Sequence, residues 1–315
     1  MERLYIGGQA VIEGVMMKNK DQYAIAVRKP DQEIEVKIED YEAAGDRIPF
    51  FRIPIVRGVV NFFESLMIGM KTLTYSASFY EEDEPDSDSA AAKAAKKGGE
   101  SLVMVLTLAF SVILVVGLFI LLPAFAAEFL RKWIEASWLI AIIEGVIRLV
   151  IFLGYVWAIS LMEDMKRVFM YHGAEHKTIN CLEAGVPLTP ENVMKFTRFH
   201  KRCGTSFLFI VMILSILFFM VINVTNPALR ILLRLLLVPV IAGVSYEFIR
   251  LAGRNDSWII KVLSAPGLWV QRLTTREPDL QMLEVAIASV EGVLDWRAYQ
   301  EALRAEQAEL CDVKN

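Results

Sequence analysis

The sequence predicts a mainly α-helical integral membrane protein with four transmembrane helices, an N-terminal β-rich cytoplasmic region, and amphipathic interfacial and C-terminal helices. The 315 residues are 55% hydrophobic and have a mean hydropathy of +0.43, whereas soluble domains are about 45–50% apolar. Four long apolar runs follow residue 101, and two segments with alternating polar and apolar residues precede residue 40. These observations together predict a bilayer-spanning domain behind a small sheet.

The N-terminal region, residues 1–80, is predicted to begin with strands. Gln22–Arg28 and Glu33–Glu39 alternate polar and apolar residues, and Pro30 lies between them, so the two segments predict a β-hairpin. Residues 58–80 have the apolar periodicity of an amphipathic helix, but charged residues interrupt it. This pattern favours an interfacial or core helix over a membrane span.

Residues 81–100 have a different composition. An acidic run, Glu81 to Asp88, is followed by alanines, lysines and a Gly-Gly pair. Such a segment has too few apolar residues to form a core, so we expect a solvated linker.

The transmembrane domain is predicted over residues 101–250. Each apolar run is long enough to cross the hydrocarbon layer, and each must be helical because lipid cannot satisfy free backbone groups. The four predicted spans are Leu102–Leu122, Trp138–Met162, Phe207–Val224 and Ile231–Phe248. Between the second and third spans lies a polar loop, residues 163–206, that contains every histidine of the chain.

The remaining residues, 251–315, are predicted to form a cytoplasmic tail. Trp258 and Trp269 flank an apolar stretch that resembles an interfacial segment with aromatic anchors. Residues 279–308 show helical periodicity with a charged face.

Basic residues set the predicted orientation. Lysines and arginines cluster before the first span, in the loop 163–206 and after the fourth span, while the two opposite loops hold only Arg131, Lys132 and Arg230. By the positive-inside rule, we expect a multi-pass protein of the cell membrane with both termini and the histidine loop in the cytoplasm. The first 30 residues lack the pattern of a cleavable signal peptide.

Composition also limits the partners. The net charge of −4 argues against nucleic-acid binding. The predicted spans make the lipid bilayer the expected partner, with other membrane proteins within it as further candidates. The sequence predicts no oligomeric state. Three cysteines without a C-x-x-C pair do not form a disulfide framework, and reduced cytosolic thiols are expected.

The histidine loop carries the candidate chemistry. His172 and His176 lie four residues apart, which places both side chains on one face of a helix, and Glu175 completes an H-x-x-E-H pattern of the inverted-zincin type. We expect a divalent metal, with zinc as the candidate, and Glu175 as the general base that activates water. Gly173 and Gly185 predict that the helix is short.

A third ligand has several candidates. His200 and Cys203 have ligand-like spacing, and Glu247 lies at the end of the fourth span on the same predicted side of the membrane. The loop also has simpler interpretations, in which the histidines and Glu175 are interfacial polar groups in ion pairs. Cys203 has two further interpretations: a nucleophile with His200 or His176 as its base, or a structural cysteine.

Apart from Glu247 at the end of the fourth span, three charged residues lie inside predicted spans. Glu144 and Arg148 are four apart in the second span, and Arg234 lies in the fourth. Charges in a bilayer usually face protein or water. Either these residues lock the two spans together, or they line a substrate or ion path.

Several long motifs are distributed along the chain. They are Gly7-Gly-Gln-Ala-Val-Ile-Glu-Gly-Val-Met-Met17, Arg57-Gly58, Glu64-Ser-Leu66, Tyr171-His-Gly-Ala-Glu-His-Lys-Thr178, Arg202-Cys-Gly-Thr-Ser-Phe207, Ser245-Tyr-Glu247 and Leu273-Thr-Thr-Arg-Glu-Pro278. Together they resemble the YqhQ-like family of bacterial membrane proteins, which are described as predicted metal-dependent enzymes. The resemblance covers nearly the whole chain except the acidic linker and the last residues. The family description implies metal dependence but no reaction or substrate.

The first functional hypothesis is a metal-dependent hydrolase that acts at the cytoplasmic face of the membrane on a membrane protein, a peptide or a lipid. The alternative is a non-catalytic membrane scaffold, or a regulator of membrane-protein insertion or turnover. A transporter that uses the charged residues of the spans is a third hypothesis, which four spans without an internal repeat make less attractive.

Overall fold

The computed structural model describes residues 6–80, 106–221, 224, 226–252, 257–302 and 305. The predicted linker at 81–100, residues 102–105 of the first predicted span and the last residues of the predicted C-terminal helix lie outside this range. The chain divides into two compact units, one of Met1–Tyr80, Val156–Val211 and Pro239–Asn315, the other of Glu81–Tyr155 and Met212–Val238.

The first unit begins with a four-stranded antiparallel sheet in the order β1-β2-β3-β4. Its strands are β1 (Gly7–Val11), β2 (Gly14–Asn19), β3 (Gln22–Arg28) and β4 (Ile34–Asp40). The hairpin predicted from alternating polarity is confirmed as β3 paired with β4. The glycine-rich segment before it forms a second hairpin, in which Glu13 takes a positive φ of 49° at the turn.

The rest of the described chain is helical. The helices are α1 (Ala44–Arg47), α2 (Val56–Ala77), α3 (Leu106–Leu130), α4 (Ser137–Ile159), α5 (Glu163–Glu183), α6 (Pro190–Met194), α7 (Gly204–Val221), α8 (Pro227–Ala252), α9 (Trp258–Thr274) and α10 (Leu280–Glu291). Residues 296–302 are also helical.

The sheet is covered on both faces. On one face, Val15, Met17 and Ala26 join a core that is completed by the apolar sides of α5 and α10. On the other, residues such as Met16 and Ile25 pack against α2. The periodic segment predicted as part of a cytoplasmic tail therefore supplies, as α10, a wall of the main core of this unit.

Four helices, α3, α4, α7 and α8, are long and apolar enough to cross a membrane. The predicted number of candidate spans is confirmed, whereas insertion and orientation remain predictions. The predicted end of the first span at residue 122 is wrong, because the helix continues to Leu130. A π-helical turn at Gly117–Leu121 precedes Pro123 and allows the helix to pass the proline.

Pro123 also leaves a backbone acceptor without its usual donor. In a regular α-helix the N–H of residue 123 would bond to the carbonyl of Phe119, and proline has no N–H. The Nε–H of Arg148 donates to that carbonyl at 2.8 Å instead. A charged residue of α4 thus satisfies a backbone group of α3.

Glu144, Arg148 and Arg234 form one buried network within the second unit. Glu144 accepts hydrogen bonds from Arg148 at 2.9 Å and from Arg234 at 2.7 Å. Both guanidinium groups lie over the ring of Phe219, at 5.1 and 5.2 Å from its centroid. The contact between Glu144 and Arg234 joins α4 to α8, which is the geometry expected of a structural lock.

The prediction of a short helix at the histidines is wrong, since α5 runs for 21 residues. A Cβ on Gly173 would lie 2.0 Å from the carbonyl oxygen of Arg276, so the glycine is required by a close backbone approach. Gly185 lies after the helix end with a φ of 69°, where glycine is favoured.

Candidate metal centre

Three predicted ligands meet in the first unit. His172 and His176 lie one turn apart on α5, and Cys203 immediately precedes α7. One potential ligand atom from each of these side chains lies within 4.8 Å of the others. The sulfur of Cys203 is 3.2 Å from Nε2 of His172, and the two imidazole centroids are 4.4 Å apart.

Both imidazoles are oriented by backbone carbonyls. Nδ1 of His172 is 2.8 Å from the oxygen of Thr274, and Nδ1 of His176 is 2.7 Å from the oxygen of Arg198. A carbonyl oxygen can only accept, so each Nδ1 carries a proton and Nε2 is the nitrogen available to a metal. Ligating histidines usually have such a partner on the second nitrogen, which fixes the tautomer and ring orientation.

The protonation of the cluster supports a thiolate ligand. Burial alone would raise the pKa of Cys203, but His172 and His176 lower it well below its usual value. Burial likewise acts to lower the pKa of His172, while the Cys203 thiolate and its hydrogen bond raise it to about 9. The two pKa shifts have directions that favour a thiolate beside an imidazolium, and binding of a metal to Nε2 would displace the imidazolium proton.

Glu175 lies on α5 beside the three ligands but does not join the group within 4.8 Å. Its side chain is only 5% exposed. Burial raises the pKa of Glu175, against the opposing effects of His172, His176 and a hydrogen bond from the backbone of Gly8. Gly8 lies in strand β1, and a Cβ there would come within 2.9 Å of the Glu175 side chain. The sheet edge therefore holds this carboxyl in place.

The two remaining candidate ligands have other contacts. His200 packs its ring 5.6 Å from that of His176, centroid to centroid, and its Nε2 faces Glu183 at 3.7 Å. Burial lowers the pKa of His200, with Glu183 opposing. Glu247 accepts a hydrogen bond from Nε of Arg57 at 2.6 Å. The structure thus brings together three of the five predicted ligands.

Several residues of the site were missed by sequence reasoning. The carbonyls of Thr274 and Arg198 are backbone groups, which a search for ligand side chains does not detect. The segment that contains Thr274 can pack against α5 because Gly173 has no side chain to collide with it. The position of Gly173 between His172 and Glu175 was the available signal for that contact.

Comparisons with known proteins cover most of the chain. A family model described as "Protein of unknown function (DUF1385)" matches residues 53–296, a range that includes His172, His176 and Cys203. The "Uncharacterized protein YqhQ" of Bacillus subtilis (strain 168) is 35% identical over 302 residues, which cover 94% of this chain and 94% of that protein. No solved structure matches the chain.

Proposed function

The chain belongs to the DUF1385 family of proteins of unknown function, and we propose that it is a membrane enzyme with a divalent metal centre, acting as a hydrolase at the cytoplasmic face of the membrane. The predicted resemblance to the YqhQ-like family is confirmed. The observation that carries the proposal is the convergence of His172, His176 and Cys203, with both imidazoles oriented by backbone carbonyls.

The donor set suits zinc. Two imidazole nitrogens and one thiolate sulfur are ligands that zinc prefers, and catalytic zinc sites have three protein ligands with one position left open. Around a tetrahedral zinc with Zn–N of about 2.1 Å and Zn–S of about 2.3 Å, donor atoms lie roughly 3.3–3.8 Å apart. The 3.2 Å between Nε2 of His172 and the Cys203 sulfur is close to this spacing. When bound, the metal would supply Lewis acidity to the reaction.

The proposed role of Glu175 follows from its burial. A carboxyl whose pKa is raised by desolvation exchanges a proton closer to neutral pH than an exposed one does, which suits a general acid–base residue. In this role Glu175 accepts a proton from the attacking water and returns it to the leaving group. The hydrogen bond from the backbone of Gly8 restrains the carboxyl of Glu175 beside strand β1.

Metal analysis tests the centre. The full-length protein, purified in detergent, is compared with His172→Ala, His176→Ala and Cys203→Ser, and elemental analysis determines the bound metal. We expect about one zinc per chain in the wild type and loss in each variant. His200→Ala is the matched control, since it removes a buried imidazole beside the cluster and should retain the metal. Absence of stoichiometric metal from the wild type would contradict the proposal.

Hydrolysis is tested through Glu175→Gln. This variant should keep the metal and lose the cleavage of peptide or phospholipid substrates that the wild type shows. Equal cleavage by Glu175→Gln and the wild type would contradict the role of Glu175. Bound metal in both proteins with no cleavage by either would favour the scaffold hypothesis instead.

A second candidate function rests on the contact between Cys203 and His172. A thiolate 3.2 Å from an imidazole is also the arrangement of a nucleophilic cysteine and its base. The pair differs from the sequence prediction, which named His200 or His176 as the base. If this function holds, a chelator leaves activity unchanged and His176→Ala has a smaller effect than His172→Ala.

A further inference from the structure

A second candidate binding site lies within the first unit, away from the histidines. A cavity of about 470 Å³ is lined by residues before α2, by α2 itself and by the end of α8. Its polar lining includes three arginines, Arg52, Arg57 and Arg250, together with Asn61 and Tyr246. Neither the family description nor the proposed hydrolysis accounts for these residues.

The charges around this cavity do not cancel. Arg52 pairs with Asp46 at 2.9 Å, and Arg57 pairs with Glu247. In the part of the chain that the structure describes, Arg250 has no hydrogen bond or ion pair, and its charge acts on the same Glu247 carboxylate that pairs with Arg57. Three cations against two anions leave one positive charge at the cavity.

A neutral donor also faces the cavity. The hydroxyl of Tyr246 accepts a hydrogen bond from Nδ2 of Asn61 at 2.8 Å, so its own proton remains to be donated. An arginine and a hydroxyl donor together suit the oxygens of a phosphate group.

The position of the cavity points to a lipid. Arg250 lies in the last turn of the fourth candidate span, where the headgroup region of a bilayer is expected. The first turn of α2 packs closely on that span, since a Cβ on Gly58 would lie 2.8 Å from the backbone of Gly243. The segment before α2 exposes apolar side chains beside the cavity, among them Phe50, which is 59% exposed, and Ile53.

Apolar exposure continues along α2. Phe63, Met67 and Met70 recur at helical spacing on its exposed side, and Met67 is 72% exposed. A ligand with a phosphate at the arginines and hydrocarbon along this stripe would satisfy both surfaces. We propose that the cavity binds the phosphate headgroup of an anionic phospholipid, whose acyl chains lie along the exposed face of α2.

The excess positive charge predicts the selectivity. A lipid with net negative charge neutralises Arg250, whereas phosphatidylcholine brings its own cation. The proposal assumes that the four candidate helices span a bilayer, but it does not depend on metal binding or hydrolysis.

The test measures lipid retention by the full-length protein. Protein in detergent is exposed to mixed micelles of phosphatidylglycerol and phosphatidylcholine, repurified, and analysed for bound phospholipid by mass spectrometry. The wild type should retain phosphatidylglycerol preferentially. Arg250→Gln should weaken that retention roughly tenfold, the usual effect of losing a charge-assisted hydrogen bond, and Tyr246→Phe should weaken it less.

Arg297→Gln is the matched control, because it removes an exposed arginine far along the chain and should behave as the wild type. Thermal unfolding in detergent and elution volume in gel filtration identify a variant that has failed to fold. If Arg250→Gln fails to fold, Tyr246→Phe, which loses one hydroxyl only, still tests the cavity. Equal retention of the two lipids by the wild type, or unchanged selectivity in both cavity variants, would overturn the proposal. Displacement of the lipid by inorganic phosphate alone would also overturn it and would indicate a soluble phosphate ligand.

Discussion

Gly173→Ala tests whether the segment after α9 supports the metal centre. In a regular solvent-exposed helix this change would stabilise the protein by about 1 kcal/mol. Here the new Cβ would lie 2.0 Å from the carbonyl oxygen of Arg276. Ordinary C···O contacts begin near 3.3 Å, so the segment must retreat by about 1.3 Å.

The retreat would break two hydrogen bonds. The backbone N–H of Arg276 donates to Phe169 at 2.8 Å, and His172 donates to Thr274 at 2.8 Å. Each bond contributes about 1 kcal/mol, and overpacking adds about 1–3 kcal/mol. After subtraction of the helical gain, we expect a net destabilisation of about 2–4 kcal/mol. Metal affinity should fall by roughly 10- to 100-fold, because His172 loses the partner that orients it.

Thermal unfolding in detergent and a zinc titration measure the two effects. The destabilisation corresponds to a fall in Tm of roughly 4 °C or more for a protein of this size. Gly154→Ala is the matched control, since Gly154 also lies in a helix but a Cβ there meets nothing within 4 Å. If Gly173→Ala unfolds at the wild-type temperature and binds zinc equally well, the packing argument is refuted.

Three further changes test other parts of the structure. Glu144→Gln leaves two buried arginines without their shared anion and should destabilise the protein by about 3–5 kcal/mol; an unchanged Tm in detergent would contradict the described network. Burial acts to raise the pKa of Glu39, but hydrogen bonds from two lysines and a tyrosine lower it to about 2. Because this pKa is lower in the folded state, the stabilisation is present above pH 4.5 and is lost as the pH falls toward 2; Glu39→Gln should therefore flatten stability over that range in acid unfolding. Gly243→Ala would place a Cβ 2.5 Å from the carbonyl of Ile55 and should destabilise the protein by about 1–3 kcal/mol, measured by Tm against Gly154→Ala.

Local pattern was enough to predict much of the fold. The alternation in Gln22–Arg28 identified a strand, and the apolar runs identified four candidate spans, because strand and helix periodicities appear directly in a sequence. The predicted end of the first span at Leu122 was wrong, because the helix continues through Pro123, a residue that normally stops a helix. The π-helical turn and Arg148 that accommodate it depend on tertiary contacts.

In the site, too, the sequence pattern predicted the local structure but not the contacts between distant segments. The spacing of His172 and His176 placed both on one face of a helix, which the structure describes as α5. The convergence with Cys203 could not be read from spacing, because Cys203 lies 27 positions after His176 and the path of the chain between them is set by packing. Glu247 was a candidate through topology alone, and its pairing with Arg57 depends on the close crossing of α2 and α8 at two glycines.

The hydrogen bond from Arg148 to the carbonyl of Phe119 bears on the biogenesis of the protein. An unsatisfied carbonyl in hydrocarbon costs several kcal/mol, so under the proposed membrane insertion the helix that contains Pro123 would be incomplete as a solitary membrane segment. The donor to the Phe119 carbonyl is Arg148 of α4, so the hydrogen bond can form only after α4 packs against α3. This requirement favours insertion of α3 and α4 together, as a helical hairpin. A chain truncated after Glu135 should therefore integrate less efficiently than one that carries both helices, and Pro123→Ala should narrow the difference.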